Sequence, residues 1–228
     1  MEMLKNPIEF GLNILNQHDE GAEMLLTKAR NETTNSYHFC KIIEILTTML
    51  CSQACLSLNR CKPVITTGNR CKYTGLSLTN KIDIVSIFRA SMVMQGPARD
   101  FFYLLTGTMP RLHAMVMQRD KDNPEEQTTY LNKCGSPRDW NDVPIIVDPM
   151  LATGGSTSST IKGLIENGYA EDFIKVLVII AAPEGVKKIH DQYPEVEIFC
   201  ISLDEKLNDN KYIVPGLGDA GERAFGVE

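Results

Sequence analysis

The chain has 228 residues, 43% of them hydrophobic and 23% charged, which suits one globular domain with a sizeable core. Its formal charge of −6 argues against a protein that grips nucleic acid through phosphates, because such proteins carry a basic surplus. No long uninterrupted apolar run and no N-terminal apolar stretch is present, so neither a transmembrane helix nor a signal peptide is expected, and a cytoplasmic location is.

Residues 1–80 carry little strand signal and read as an N-terminal helical segment. "NPIEFGLNILNQ" (6–17) reads as a short helix. "HFCKIIEILTTMLCSQACLSL" (38–58) has Ile42, Ile43, Ile45, Leu46, Met49 and Leu50 at helical spacing, with Asn35 or Ser36 as its cap. Core or subunit packing is the expected use of both. The seven cysteines are irregularly spaced and form no CxxC pair, so thiols in a reducing compartment are expected. The five between 40 and 71 leave metal or redox chemistry as an alternative.

From residue 80 the pattern changes. "IDIVSIF" (82–88), "RLHAMVMQ" (111–118), "VPIIVD" (143–148), "IKVLVIIAA" (174–182) and "VEIFCIS" (196–202) read as buried strands. Helical stretches at 97–106, 157–167 and 184–192 lie between them. This alternation predicts an α/β fold with a mostly parallel sheet covered on both faces, whose ligands bind at the carboxyl ends of the strands. Residues 119–142 are polar and lack a period; they are read as a lid, with a surface insertion as the alternative.

The join between the 143–148 strand and the next helix holds the chemistry. Asp148 ends the strand; Pro149, Met150, Leu151, Ala152, Thr153, Gly154, Gly155, Ser156 and Thr157 lead into the helix, with Gly168 as its stop. The helix amides point into this loop, the glycines admit a close ligand, and the hydroxyls add donors. That is a phosphate cradle, though neither a Walker A loop nor a GxGxxG fingerprint. An acidic acceptor beside a phosphate cradle suits a sugar phosphate.

"VDPMLATGGST" resembles the phosphoribosyl pyrophosphate (PRPP) loop of type I phosphoribosyltransferases. Its Asp-Pro pair is similar to that of the uracil phosphoribosyltransferases. "LVIIAAPEGV" (177–186), "YIVPGLGDAGERAFG" (212–226), "SIFRAS" and "MVMQRD" resemble further segments of that family, so the likeness runs over residues 80–228. It implies the type I fold: a core at 81–203 and a uracil-binding hood at 204–228. It also implies that Pro149 to Thr157 bind PRPP, with Thr153 to Thr157 holding the 5′-phosphate, and that Asp148 meets the ribose hydroxyls. Arg89 and Arg119 would hold pyrophosphate, Tyr212, Ile213, Gly218, Asp219 and Ala220 would hold uracil, and Asp219 would also face PRPP.

The implied reaction joins uracil to PRPP, giving UMP and pyrophosphate, in pyrimidine salvage. Asp148, Arg89 and Arg119 would carry catalysis, through positioning and charge stabilisation. Mg²⁺ is implied, held mainly by substrate rather than by a protein cage. The resemblance further implies a homodimer or larger homo-oligomer and admits GTP as an effector; neither nucleic acid nor membrane is expected as a partner. The chain departs from the family at Ser91, where glycine is usual, which puts the pyrophosphate contact in question. The family's N-terminal marks are not recognisable. A nucleotide-binding regulatory protein on the same fold is therefore the alternative, and an enzyme for another base a third reading.

Overall fold

The computed structural model describes residues 6–17, 19–58, 61–119 and 127–226. In chain order, a 3-10 turn (Pro7–Phe10) leads into β1 (Leu12–Ile14), α1 (Glu20–Arg30), α2 (Ser36–Ala54) and a hairpin of β2 (Cys61–Gly68) and β3 (Cys71–Leu78). Then come β4 (Lys81–Phe88), α3 (Met92–Thr106), β5 (Arg111–Arg119), β6 (Gln127–Lys133), β7 (Asp142–Leu151), α4 (Gly155–Glu166), β8 (Lys175–Ala181), α5 (Pro183–Gln192) and β9 (Glu197–Leu203). The short β10 (Lys206–Leu207), β11 (Ile213–Val214) and α6 (Ala220–Phe225) finish the described chain.

The central sheet runs β1-β9-β8-β7-β4-β5-β6. Six of its strands are parallel, and β6 pairs antiparallel with β5. The continuous apolar runs fold as expected, because both sheet faces are covered. On one face, Ile84, Val147, Leu177 and Phe199 meet Leu26, Phe39, Leu46 and Phe102 of α1 to α3. On the other, Val85, Ile146, Val176 and Val178 meet Ile161, Leu164, Val186 and Ile189 of α4 and α5. Successive strand residues thus serve opposite cores. The segment Ser36–Ser57 is long and apolar enough to cross a membrane by length and composition. Its apolar face is spent in the core, where Phe39, Ile43, Leu46, Leu50 and Cys51 are buried, so it reads as a core helix.

Four expectations need correction. The 6–17 stretch is not a helix: after the 3-10 turn, β1 pairs with β9, with Leu12 and Ile14 facing the core and Asn13 between them. Residues 1–80 are not wholly helical either, since β2 and β3 form an exposed hairpin turning through Asn69 and Arg70, both at positive φ. Asp148 does not end its strand, because pairing with β8 resumes beyond Pro149 at Met150 and Leu151. The 119–142 segment is not irregular throughout: residues 127–133 are strand β6, joined to β5 with a bulge at Val116/Met117. Residues 120–126 lie outside the described residues. Asn35 does cap α2, accepting from His38 N at 2.9 Å, and Gly168 follows α4 at φ +99°.

Beneath the amino ends of β4, β5 and β7 lies a buried charge cluster. Asp83 and Asp142 are nearly inaccessible. Arg111 forks onto Asp83 at 2.9 and 2.6 Å. Arg138 bridges Asp83 (2.8 Å) and Asp142 (2.9 Å). The Tyr169 hydroxyl donates to Asp83 at 2.6 Å, and Arg111 donates to that hydroxyl at 3.0 Å.

Candidate active site

In this strand order the chain leaves β4 toward β5 on one side and β7 toward β8 on the other. The carboxyl ends of β4 and β7 therefore bound a crevice at the point where the topology reverses, the place where open α/β sheets bind ligands. A cleft of about 600 Å³ opens there. Arg89 and Ala90 follow β4 on one wall; Asp148, Met150, Ala152 and Ser156 form the floor; Tyr212, Ile213, Gly218 and Asp219 form the roof.

The floor is the glycine loop. Gly154 stands at φ +77° as the N-cap of α4 and supplies no side-chain cap. The first-turn amides of α4 have no intrahelical acceptor, so they and the helix dipole are open to an anion. Thr160 donates to the Ser156 carbonyl at 2.8 Å, which ties the first turn down. The Asp148 carboxylate accepts from the Met150 amide at 3.3 Å, fixing it beside the loop. Beneath, α5 starts with Pro183 and brings Gly185 against the loop. A Cβ on Gly185 would fall onto the Ala152 carbonyl and within 3.0 Å of the Leu151 carbonyl, and one on Gly154 would lie 3.0 Å from the Gly185 carbonyl. The two glycines let loop and helix interlock backbone to backbone.

The roof is the segment from β10 to α6. Ile213 is nearly buried and Tyr212 is exposed. Asp219 caps α6, accepting from Gly221 N at 2.8 Å and Glu222 N at 3.0 Å. Arg89 reaches across from the β4 wall: its Nη2 and Nε lie 3.5 and 3.6 Å from the position of a Cβ on Gly221. A guanidinium, an acidic cap, and a helix N-terminus with open amides thus converge on one space.

Of the residues singled out from sequence, Arg89, Asp148, Met150, Ala152, Ser156, Tyr212, Ile213, Gly218 and Asp219 line the cleft. Pro149, Leu151, Thr153, Gly154, Gly155 and Thr157 belong to the same loop but do not form its wall, and Thr157 is buried. Ala220 is buried behind Asp219 as the first residue of α6. Arg119 ends β5, and its side chain lies outside the described residues. Ser91 is completely buried at the N-terminus of α3 and is not part of the cleft wall, so its Cβ does not stand between Arg89 and a ligand. Sequence reasoning missed Ile180 and Asn210, which also line the cleft. It also missed Gly185, for which the glycine three residues beyond the 174–182 strand was the available signal.

The family model for uracil phosphoribosyltransferase matches residues 17–227. A uracil phosphoribosyltransferase of Finegoldia magna is 38% identical over 207 residues, covering 89% of this chain and 93% of its own. One of Dictyostelium discoideum is 33% identical over 205 residues, covering 90% and 91%. A protein of Aquifex aeolicus with a solved structure superposes with a TM-score of 0.81 at 28% identity, covering 95% of this chain and 99% of its own. The match reaches through the N-terminal helices as well as the loop and the roof, and the chain belongs to the uracil phosphoribosyltransferase family.

Proposed function

We propose that the protein transfers the phosphoribosyl group of PRPP to uracil, giving UMP and pyrophosphate in pyrimidine salvage. The observation that carries this reading is the shared cleft, where the phosphate-cradling loop faces a backbone-rich roof suited to a flat base, with Arg89 between them. Family membership supports the same reading, and no observation favours the regulatory alternative.

The geometry supports the following division of labour. The α4 amides and the Ser156 hydroxyl take the 5′-phosphate, because they are donors at a positive helix end. Asp148 takes the ribose hydroxyls and faces the positive charge that develops at the anomeric carbon. Arg89 pairs two oxygens of the departing pyrophosphate with its planar fork, and Arg119 is proposed to join it. The roof offers backbone groups to the uracil edge; cytosine presents an amine where a carbonyl is read, leaving a polar group unpaired at a cost of about 1–3 kcal/mol. As the ring nitrogen bonds to the anomeric carbon, the bond to pyrophosphate breaks, its electron pair leaves with the pyrophosphate, and the proton on that nitrogen is given up to the departing pyrophosphate or water. Catalysis is positioning plus stabilisation of departing charge.

The carboxylates on the cleft wall are Asp148 and Asp219, and among the described residues no group of three metal-binding side chains gathers. That donor set would suit a Mg²⁺ that arrives on PRPP oxygens, with Asp148 as a protein carboxylate that would share in holding it. When bound, Mg²⁺ supplies neutralisation of pyrophosphate charge. A homo-oligomer is part of the reading: the β2–β3 hairpin exposes Ile65, Tyr73 and Leu76, and α3 exposes Leu104, apolar surface of the kind that subunit contacts cover.

The test is UMP formation from uracil, PRPP and Mg²⁺, run beside Asp148→Asn and a control without uracil, with GTP added in a further arm to read activation. Turnover that falls about 100-fold or more in the variant, with PRPP still bound, is expected. Absence of turnover in the folded wild-type protein would overturn the reading.

A further inference from the structure

The roof does not hold itself up. Arg30, the last residue of α1, forks onto Asp204 at 2.8 and 2.5 Å. The same guanidinium donates to the Gly216 carbonyl at 2.6 Å and to Ser202 Oγ at 3.3 Å. Asp204, almost wholly buried, accepts the Gly216 amide at 2.9 Å and the Ser202 hydroxyl at 3.1 Å. Both backbone polar groups of Gly216 are thus held by one ion pair. Arg223 of α6 donates to the Leu217 carbonyl at 2.7 Å, to the Asn31 carbonyl at 2.8 Å, and to the Ala29 carbonyl. Its guanidinium also lies 4.3 Å over the Phe39 ring. The Ala29 and Asn31 carbonyls belong to the C-terminal end of α1, where unpaired oxygens and the negative dipole end attract a cation.

Gly216 and Leu217 are themselves cleft residues. Gly216 stands at φ +70°, and a Cβ there would strike the Ile213 carbonyl, so the turn from Ile213 to Gly216 is as tight as backbone allows. A turn of that tightness transmits any displacement of Gly216 to Ile213 on one side and Gly218 on the other. We propose that Arg30, Asp204 and Arg223 are positioning residues for base selection. They engage the Gly216 and Leu217 backbone groups and so fix the spacing at which Ile213 and Gly218–Ala220 present theirs to the base. Arg30 suits the task because its planar fork takes a carboxylate and a carbonyl together, which a lysine cannot do in the same geometry.

This rests on the roof being the base site, and the experiment separates the two claims. Arg30→Lys, Arg223→Lys and the near-isosteric Asp204→Asn are compared with wild type for KM of uracil, KM of PRPP, the uracil-to-cytosine ratio of kcat/KM, and thermal midpoint. The expected result is a uracil KM raised about tenfold or more and a reduced preference over cytosine, with the PRPP KM within about twofold. A lowered thermal midpoint with uracil KM and base preference unchanged would overturn the proposal and leave a structural brace. Should Arg30→Lys fail to fold, Asp204→Asn reads the same clamp without changing side-chain size. Gly218→Ala, at a position with φ +78°, is the control. If it leaves the uracil KM unchanged, the roof is not the base site; if it raises that KM while the clamp variants do not, only the clamp falls.

Discussion

The two ends of the sheet use charge in opposite ways. At the amino ends, Asp83 and Asp142 are taken up by Arg111, Arg138 and Tyr169 through short direct bonds. Asp142 Oδ1 is the one carboxylate oxygen there that is buried without a partner. At the carboxyl ends, Arg89, the first turn of α4 and the cleft faces of Asp148 and Asp219 converge on open space. Both ends concentrate ionisable groups, but only the carboxyl end sets them around an open cleft. Charge satisfied inside the protein holds strands together, and charge aimed at a cavity holds a ligand.

The sharpest way to break that comparison is Asp83→Asn. It takes a shared charge partner from Arg111 and Arg138, of which Arg138 keeps Asp142, and a loss of about 1.5–3 kcal/mol in unfolding free energy is expected from denaturant titration. Turnover per folded molecule should stay unchanged, and a selective loss of turnover would erase the distinction between the ends. The same cluster sets a pH dependence. Burial raises the Asp83 carboxyl, but hydrogen bonds from Arg111 and Tyr169 and the charges of Arg138 and Arg111 outweigh it and hold it below the usual range. Its stabilisation is complete above the unfolded-state value of about 4 and is lost as pH falls through the lower folded value. Buried His113 is held below the usual imidazole range, mainly by desolvation. The unfolded chain takes up that proton first, so stability begins to fall as pH drops below about 6.5. Asp83→Asn should flatten the Asp83 part of the acid limb and deepen the His113 part, because the Asp83 charge favours the His113 imidazolium and opposes its desolvation.

A smaller effect is expected at the ligand end. Gly185→Ala pushes a Cβ into the Ala152 carbonyl, so the loop must shift. The PRPP KM should rise about tenfold, with the uracil KM changed less. Equal effects on both would mean that loop and roof move as one body. The smallest effect belongs to Ser91→Ala. The Ser91 hydroxyl is buried without a partner and caps nothing. Its removal should change stability by less than about 1 kcal/mol and leave pyrophosphate inhibition untouched. A changed inhibition constant would bring Ser91 into the pyrophosphate contact after all.

Legibility in the sequence followed burial. β4, β7, β8 and β9 are runs dominated by apolar residues and could be read directly. The hairpin could not, because its residues face solvent and carry no alternation; only Asn69 hinted at the turn. The three residues of β1 are too few to show a period. α1 was overlooked although Asp19 caps it, accepting from Ala22 N at 3.0 Å. The floor and roof were legible because contiguous residues build each of them. Arg30, Asp204, Arg223 and Gly185 were not, because their roles depend on partners elsewhere in the chain, and local spacing says nothing about those.

The Arg30 contact with Gly216 joins residues 186 positions apart. The phosphate floor is built from residues 148–185, near each other in the chain, and closing it costs little loop entropy. The roof needs the end of α1 and the last turn of the described chain at once. During synthesis the floor residues emerge before those of the roof, which needs residues up to Arg223 as well as the end of α1. A truncated product would thus keep a sugar-phosphate cradle with nothing above it to choose a base.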